Sequence, residues 1–270
     1  MNIGPTMKRR CFFARRLFNG GGKWLCALAL VVHVQAHDAS FTDCVGQGGE
    51  AAKKGDVTAA AKFYSAVEQL EHGNSSNLCA LTKYFCDLMR LTSSAATQKM
   101  LAENALSCSQ AAIQADPRNA TAHICAAICY AKNFPYADNA TKVLYSRSLK
   151  AEAEKAIALD PKQDVAYYLL GRWNYGVANM NLFYKGLVKL AYGGLPVASN
   201  AEAVRDFKQA IRLEPGRIIN HAELAKVYRA TGQKDLARQE LETSARLKPL
   251  DPDDAEAQVE AAKELSALTE

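Results

Sequence analysis

An all-α solenoid of antiparallel helix pairs is the fold class that three observations predict. Four helix endings repeat along the chain: A-A-I-Q-A-D-P at 111–117, K-A-I-A-L-D-P at 155–161, Q-A-I-R-L-E-P at 209–215 and S-A-R-L-K-P at 244–249. The 270 residues are 49% hydrophobic and alanine-rich with only 8 prolines, a balance that favours helix. Long strand-like runs of Val, Ile and Thr are absent.

The prolines ending these helices stand at 117, 161, 215 and 249, at intervals of 44, 54 and 34 residues. A 34-residue period is that of the tetratricopeptide repeat, and the longer intervals are the same unit with about 10 and about 20 residues inserted. With Ile218 as position 1, the last unit places His221, Leu224, Ala225 and Tyr228 at 4, 7, 8 and 11, then Ala237, Leu241 and Ser244 at 20, 24 and 27. Small residues at 8, 20 and 27 let two helices approach closely. Large ones at 4, 7, 11 and 24 fill the space between neighbours, and proline stops the second helix. His221 is therefore read as packing.

Residues 1–36 come first in chain order. Before Ala36 there are six basic residues and no acidic one, and nine apolar residues, Trp24 to Val32, precede Val34-Gln35-Ala36. That layout is a signal peptide cleaved after Ala36, and it places the product in the secretory pathway, outside the cell or in the periplasm. A mitochondrial presequence, a twin-arginine signal and an uncleaved anchor are the alternatives; a mitochondrial or cytoskeletal location goes with them. Nine apolar residues are too few to span a bilayer core of about 30 Å, so no transmembrane span is expected in the mature chain. Gly20-Gly21-Gly22-Lys23 lacks the spacing of a phosphate loop.

Residues 37–270 form one tetratricopeptide-like domain, with repeats near 42–72, 76–117, 118–161, 162–215 and 216–249 and a capping helix at 252–268. Gly55-Asp56 starts a helix carrying Ala60, Tyr64 and Val67, and helices near 76–92 and 98–114 follow. The third unit keeps His123, Ala126, Ala127 and Tyr130 and takes its insertion around 133–142. The fourth keeps Tyr167, Leu170 and Gly171, then Ala203, Phe207 and Ala210, with the longer insertion between. Asp253 and Asp254 suit the start of the last helix, whose dipole prefers acids there.

The charge of +5 belongs to the leader: without its six basic residues, 27 basic face 28 acidic ones. Nothing calls for nucleic acid. No nucleophile–base pair, HExxH or cofactor motif occurs, so neither an enzyme nor a cofactor is expected. Positions 2, 5, 9 and 12 of each first helix line the concave side. They are Val165, Tyr168, Arg172 and Tyr175 in the fourth unit, and Ile219, Ala222, Lys226 and Arg229 in the fifth. Tyr168, Arg172, Tyr175, Lys226 and Arg229 are the candidate groove for a protein or peptide partner, with acidic chemistry favoured by the guanidinium forks.

Helical spacing puts Leu182, Phe183, Leu187 and Leu190 of the insertion, with Trp173, Tyr184 and Tyr192, in the core; the alternative is a lid over a lipid or small-ligand cavity. Six cysteines follow residue 36, and Cys86 and Cys108, on consecutive antiparallel helices, are a candidate disulfide, with free thiols as the alternative. His123, Cys125 and Cys129 lack a fourth ligand, so no metal site is expected. Asn74, Asn119 and Asn139 begin N-x-S/T glycosylation acceptors.

The stretch A-I-A-L-D-P-K-Q-D-V-A-Y-Y-L-L-G-R-W-N-Y-G-V-A-N, the segment F-Y-K-G-L-V-K-L-A-Y-G-G-L-P-V-A-S-N-A-E-A-V-R-D-F-K-Q-A and the two central insertions together resemble the regulator of microtubule dynamics family, from about residue 105 to 265. Asn174 stands where that family usually has Cys. The resemblance implies a helical-repeat fold, microtubules as a partner, and for some members a tie to mitochondria or membrane contact sites.

Overall fold

The computed structural model describes residues 41–68 and 73–267, so the expected signal segment 1–36 lies outside the described residues. Among them are twelve α-helices, two short 3-10 turns and no strand. The helices are α1 (Phe41–Lys53), α2 (Val57–Glu68), α3 (Ser75–Leu88), α4 (Ala95–Ala115), α5 (Ala120–Asn133), α6 (Asn139–Leu159), α7 (Asp164–Ala178), α8 (Leu182–Tyr192), α9 (Asn200–Leu213), α10 (Ile218–Ala230), α11 (Lys234–Arg246) and α12 (Pro252–Ala267). They pack as hairpins α1–α2, α3–α4, α5–α6, α7–α9 and α10–α11, and α12 lies on α10 and α11.

Local chemistry sets the helix ends. Asn74, Ser94, Asn119, Asp138, Asn181 and Ser199 each cap a helix by accepting a backbone N–H with the side chain. The recurring Asp-Pro ending has its own reason. Asp116 accepts from the Arg118 N–H at 2.9 Å and Asp160 from the Lys162 N–H at 3.0 Å, so aspartate closes the turn while proline stops the helix. In the two hairpins joined by short loops, the turn is made by Gly55 (φ 76°) and Gly232 (φ 78°), a left-handed conformation that costs glycine little.

Small residues decide how closely the hairpins pack. A Cβ on Gly48 would lie 2.2 Å from the Tyr64 ring, and one on Gly171 would lie 2.9 Å from the Phe207 ring. Both pairs sit at positions 8 and 24 of their repeats, so α1 and α2 obey the same rule as α7 and α9. Alanines do this work elsewhere: Ala105, Ala112, Ala127, Ala153 and Ala156 are fully buried. The insertion of the third unit is taken up by the 3-10 turn Phe134–Tyr136 and by α6, which runs to 21 residues.

Two histidines hold successive turns together. His221 donates from Nδ1 to Glu240 Oε2 at 2.6 Å and from Nε2 to the Pro215 carbonyl at 3.1 Å. His123 stands likewise, with Nδ1 2.5 Å from Glu152 Oε2 and Nε2 3.0 Å from the Pro117 carbonyl oxygen. A carbonyl only accepts, so Nε2 carries a proton in both. Both rings are buried, and beyond packing they tie the preceding helix end to the second helix of their own repeat.

Trp173 takes its expected core place, donating to the Ser146 carbonyl at 2.8 Å and so fixing α7 on α6. The inserted helix does not. Leu182, Phe183 and Leu190 are 83%, 77% and 86% exposed, Tyr184, Leu187 and Tyr192 are exposed too, and Val188 alone on α8 is buried. With 11 residues held to α6 on one side, α8 has a single inward face, and its lines of Leu and Phe fall on the other.

The six described cysteines are free thiols, Cys86 and Cys108 included. Cys125 Sγ donates to the Cys79 carbonyl at 4.0 Å, so this thiol contact runs between α3 and α5, the parallel first helices of successive repeats, not across the α3–α4 hairpin. Burial pushes the Cys108 thiol up, which keeps it protonated.

Candidate functional site

A groove of about 380 Å³ is walled by α5, α7, α10 and α12. It exists because the first helices of successive repeats stack side by side while α12 closes the far end. Its lining includes Tyr168, Arg172 and Lys226 of the five expected residues, together with Val165, Ile219 and Ala222. Tyr175 and Arg229 are not part of it. Tyr175 packs beside Phe207 and Tyr228, and Arg229 turns to Glu264 of α12 at 3.3 Å, so it holds the capping helix instead.

The cations in the groove are matched by acids the sequence reading did not place there. Glu223, one turn before Lys226, accepts from its Nζ at 3.0 Å and stands 4.0 Å from Arg172 Nε. Arg172 also donates to the Tyr168 hydroxyl at 3.1 Å. Asp253, Glu256 and Glu260 of α12 face the groove from the other side, and Asp164 joins them; burial raises the Asp164 pKa. Arg90, from the 3-10 turn after α3, pairs with Asp253 and lies 3.9 Å from Glu256. That contact joins the second repeat to the last helix. The surface is thus of mixed charge, with five carboxylates in the lining against four guanidinium and ammonium groups.

Asn220 is the residue the sequence reading missed. It lines the groove at 1% exposure, and neither its Oδ1 nor its Nδ2 has a hydrogen-bond partner. A buried carboxamide left so costs about 1–3 kcal/mol. The only signal in the sequence was an Asn at position 3 of a first helix, where the neighbouring unit has Ala166.

Asn174 and Asp206 form a second polar pair, inside the α7–α9 hairpin, with Nδ2 donating to Oδ2 at 2.9 Å. Burial raises the Asp206 pKa. The three N-x-S/T motifs have structural uses: Asn74 and Asn119 are helix caps, and Asn139 follows the cap Asp138, which accepts from Thr141 N–H. Asn119 is committed at both ends, since its Nδ2 also donates to Ser75 Oγ at 2.9 Å. Among the described residues no cluster of three His, Cys, Asp or Glu could hold a metal, and no helix is long and apolar enough to cross a membrane.

Comparisons with known proteins agree with this architecture. A family model described as Regulator of microtubule dynamics protein 1-3 matches residues 45–269. Regulator of microtubule dynamics protein 1 of Bos taurus is 25% identical over 241 residues, covering 88% of this chain and 75% of that protein. Regulator of microtubule dynamics protein 3 of Xenopus laevis is 28% identical over 198 residues, and there this chain spans only 42% of the relative's length. Among solved structures, a thermophilic TPR protein of Thermus thermophilus superposes with a TM-score of 0.55 at 17% identity, covering 83% of this chain and all of that one. The likeness in structure carries the fold. These relatives are regulators in name. The secretory placement expected from residues 1–36 is overturned by these relatives, whose name ties them to microtubules, structures of the cell interior. With the match extending over nearly the whole described chain, the protein belongs to the regulator of microtubule dynamics protein 1-3 family.

Proposed function

We propose that the protein is a non-catalytic scaffold whose groove between α5, α7, α10 and α12 receives an extended segment of a partner protein. The observation that carries this reading is Asn220. A carboxamide offers one acceptor and a donor pair, the complement of a peptide unit's N–H and C=O. Both atoms are covered in the free domain, so a partner backbone would supply the missing bonds only as the groove floor opens to admit it. Arg172 and Lys226 on one wall and Asp253, Glu256 and Glu260 on the other then favour a segment bearing both signs of charge over a uniformly acidic one.

The alternative of a lipid or small-ligand carrier needs the inserted helix to turn its apolar side onto a cavity. In α8 that side points outward, which favours the peptide reading. The relatives' name makes the microtubule, or a protein that binds it, the first partner to try.

A peptide array probed with the full chain tests the groove. Peptides selected by the wild-type protein are expected to bind Asn220→Leu about tenfold more weakly, the loss of roughly 1.4 kcal/mol. Arg172→Glu combined with Lys226→Glu should shift the charge preference of those peptides. Equal binding by the wild type and Asn220→Leu would dispose of the reading, and co-sedimentation with microtubules decides whether they carry the segment.

A further inference from the structure

The apolar side of α8 lies outside the groove and has no role in it. Leu182, Phe183, Leu187 and Leu190 lie along one side of the helix, opposite the buried Val188, and Val197 beyond its C-terminus is 91% exposed. The helix is held in this pose. Asn181 caps its start, Gly193 ends it in a left-handed conformation (φ 77°), and Arg147 of α6 donates to the carbonyls of Tyr192 and Gly194. A contiguous apolar strip fixed outward on a folded domain marks a contact surface.

The charge around the strip says what it contacts. No Asp or Glu occurs from residue 165 to 201, although acids balance bases over the folded chain as a whole. The first half of α6, residues 139–151, is also free of acids and carries Lys142 and Arg147, with Lys150 paired to Glu154 farther along the helix, while α8 itself carries Lys185 and Lys189. Lys189 is exposed at the border of the apolar side, where a lysine stem lies along apolar surface while its ammonium reaches polar groups. A short amphipathic helix with bulky apolar residues on one side, lysines at its border and no acid of its own has the chemistry of a helix that lies in the plane of an anionic membrane surface. We infer that α8 docks this domain onto anionic bilayers through Leu182, Phe183, Leu187 and Leu190. A second copy of the chain would bring the same lysines against one another, which disfavours self-pairing through this side.

Amide hydrogen exchange on the full chain tests the inference, with vesicles of phosphatidylcholine containing roughly one quarter phosphatidylserine. The local rate at α8 is the readout, because residues 1–36 are basic and apolar enough to capture vesicles by themselves. Exchange across residues 182–192 is expected to slow about tenfold or more on adding vesicles, and this protection should weaken with phosphatidylcholine alone or at high salt. It should vanish in the triple variant Leu182→Glu, Phe183→Glu, Leu190→Glu, whose substitutions lie at exposed sites and leave the circular dichroism spectrum unchanged. Unaltered exchange at α8, or equal protection in the triple variant, overturns the inference. Protection that needs no vesicles and grows with protein concentration would overturn it in favour of a second copy.

Discussion

Gly171 of α7 meets Phe207 of α9 so closely that a Cβ at 171 would stand 2.9 Å from three carbons of the ring. Phe207 is fully buried, so the ring has no free direction in which to retreat. Gly171→Ala is therefore expected to destabilise the domain by about 1–3 kcal/mol, although alanine is the better helix former. Urea denaturation measures it. Adding Phe207→Leu should recover part of the loss, so that the two changes together cost less than their sum. A Gly171→Ala chain as stable as the wild type would show that the hairpin is looser than its packing.

His221 makes the domain sensitive to pH. Burial favours the neutral ring, but the bonds to Glu240 and to the Pro215 carbonyl, with the Glu240 charge, outweigh it and raise the pKa above the ordinary value. A histidine with a raised folded pKa contributes stability that is complete below its unfolded pKa of about 6.5 and is lost as pH rises through the folded value. The wild type should therefore lose stability between about pH 6 and pH 9, relative to His221→Phe, which fills the same slot without titrating. Parallel urea titrations at the two pH values give the comparison. Identical pH slopes would mean that the bond to Glu240 contributes nothing.

Asn220 predicts a conflict between stability and binding. Replacing the unpartnered carboxamide with an apolar side chain of similar shape removes a buried polar penalty, so Asn220→Leu should raise stability by roughly 1 kcal/mol in the absence of a partner. The same substitution is the one expected to weaken peptide binding. A variant that melts earlier than the wild type would indicate that the carboxamide is satisfied within the domain.

The repeat rules were legible because they are local. Positions 8, 20, 24 and 27 report how near two sequence-adjacent helices come, and Asp-Pro reports where one stops. The same rule at Gly48 and Tyr64 passed unseen because no proline-terminated ending follows α2. The groove was legible in part. Tyr168, Arg172 and Lys226 line it as their positions require, whereas Arg229 is drawn to Glu264 and Arg172 to Glu223 by partners on other turns. Charge pairing across repeats has no signature in spacing.

The sequence by itself determined the helical hairpins, their close packing at small residues, the turns between them and the family. Tertiary structure alone decided three matters. It put the apolar side of α8 outward, since periodicity says that a helix has an apolar side but not whether another helix covers it. It turned the Cys125 thiol to the Cys79 carbonyl, because α3 stacks on α5, a neighbourhood that spacing along the chain does not report. It left Asn220 in the groove without partners, because hydrogen-bond satisfaction depends on every element around a group and on none alone.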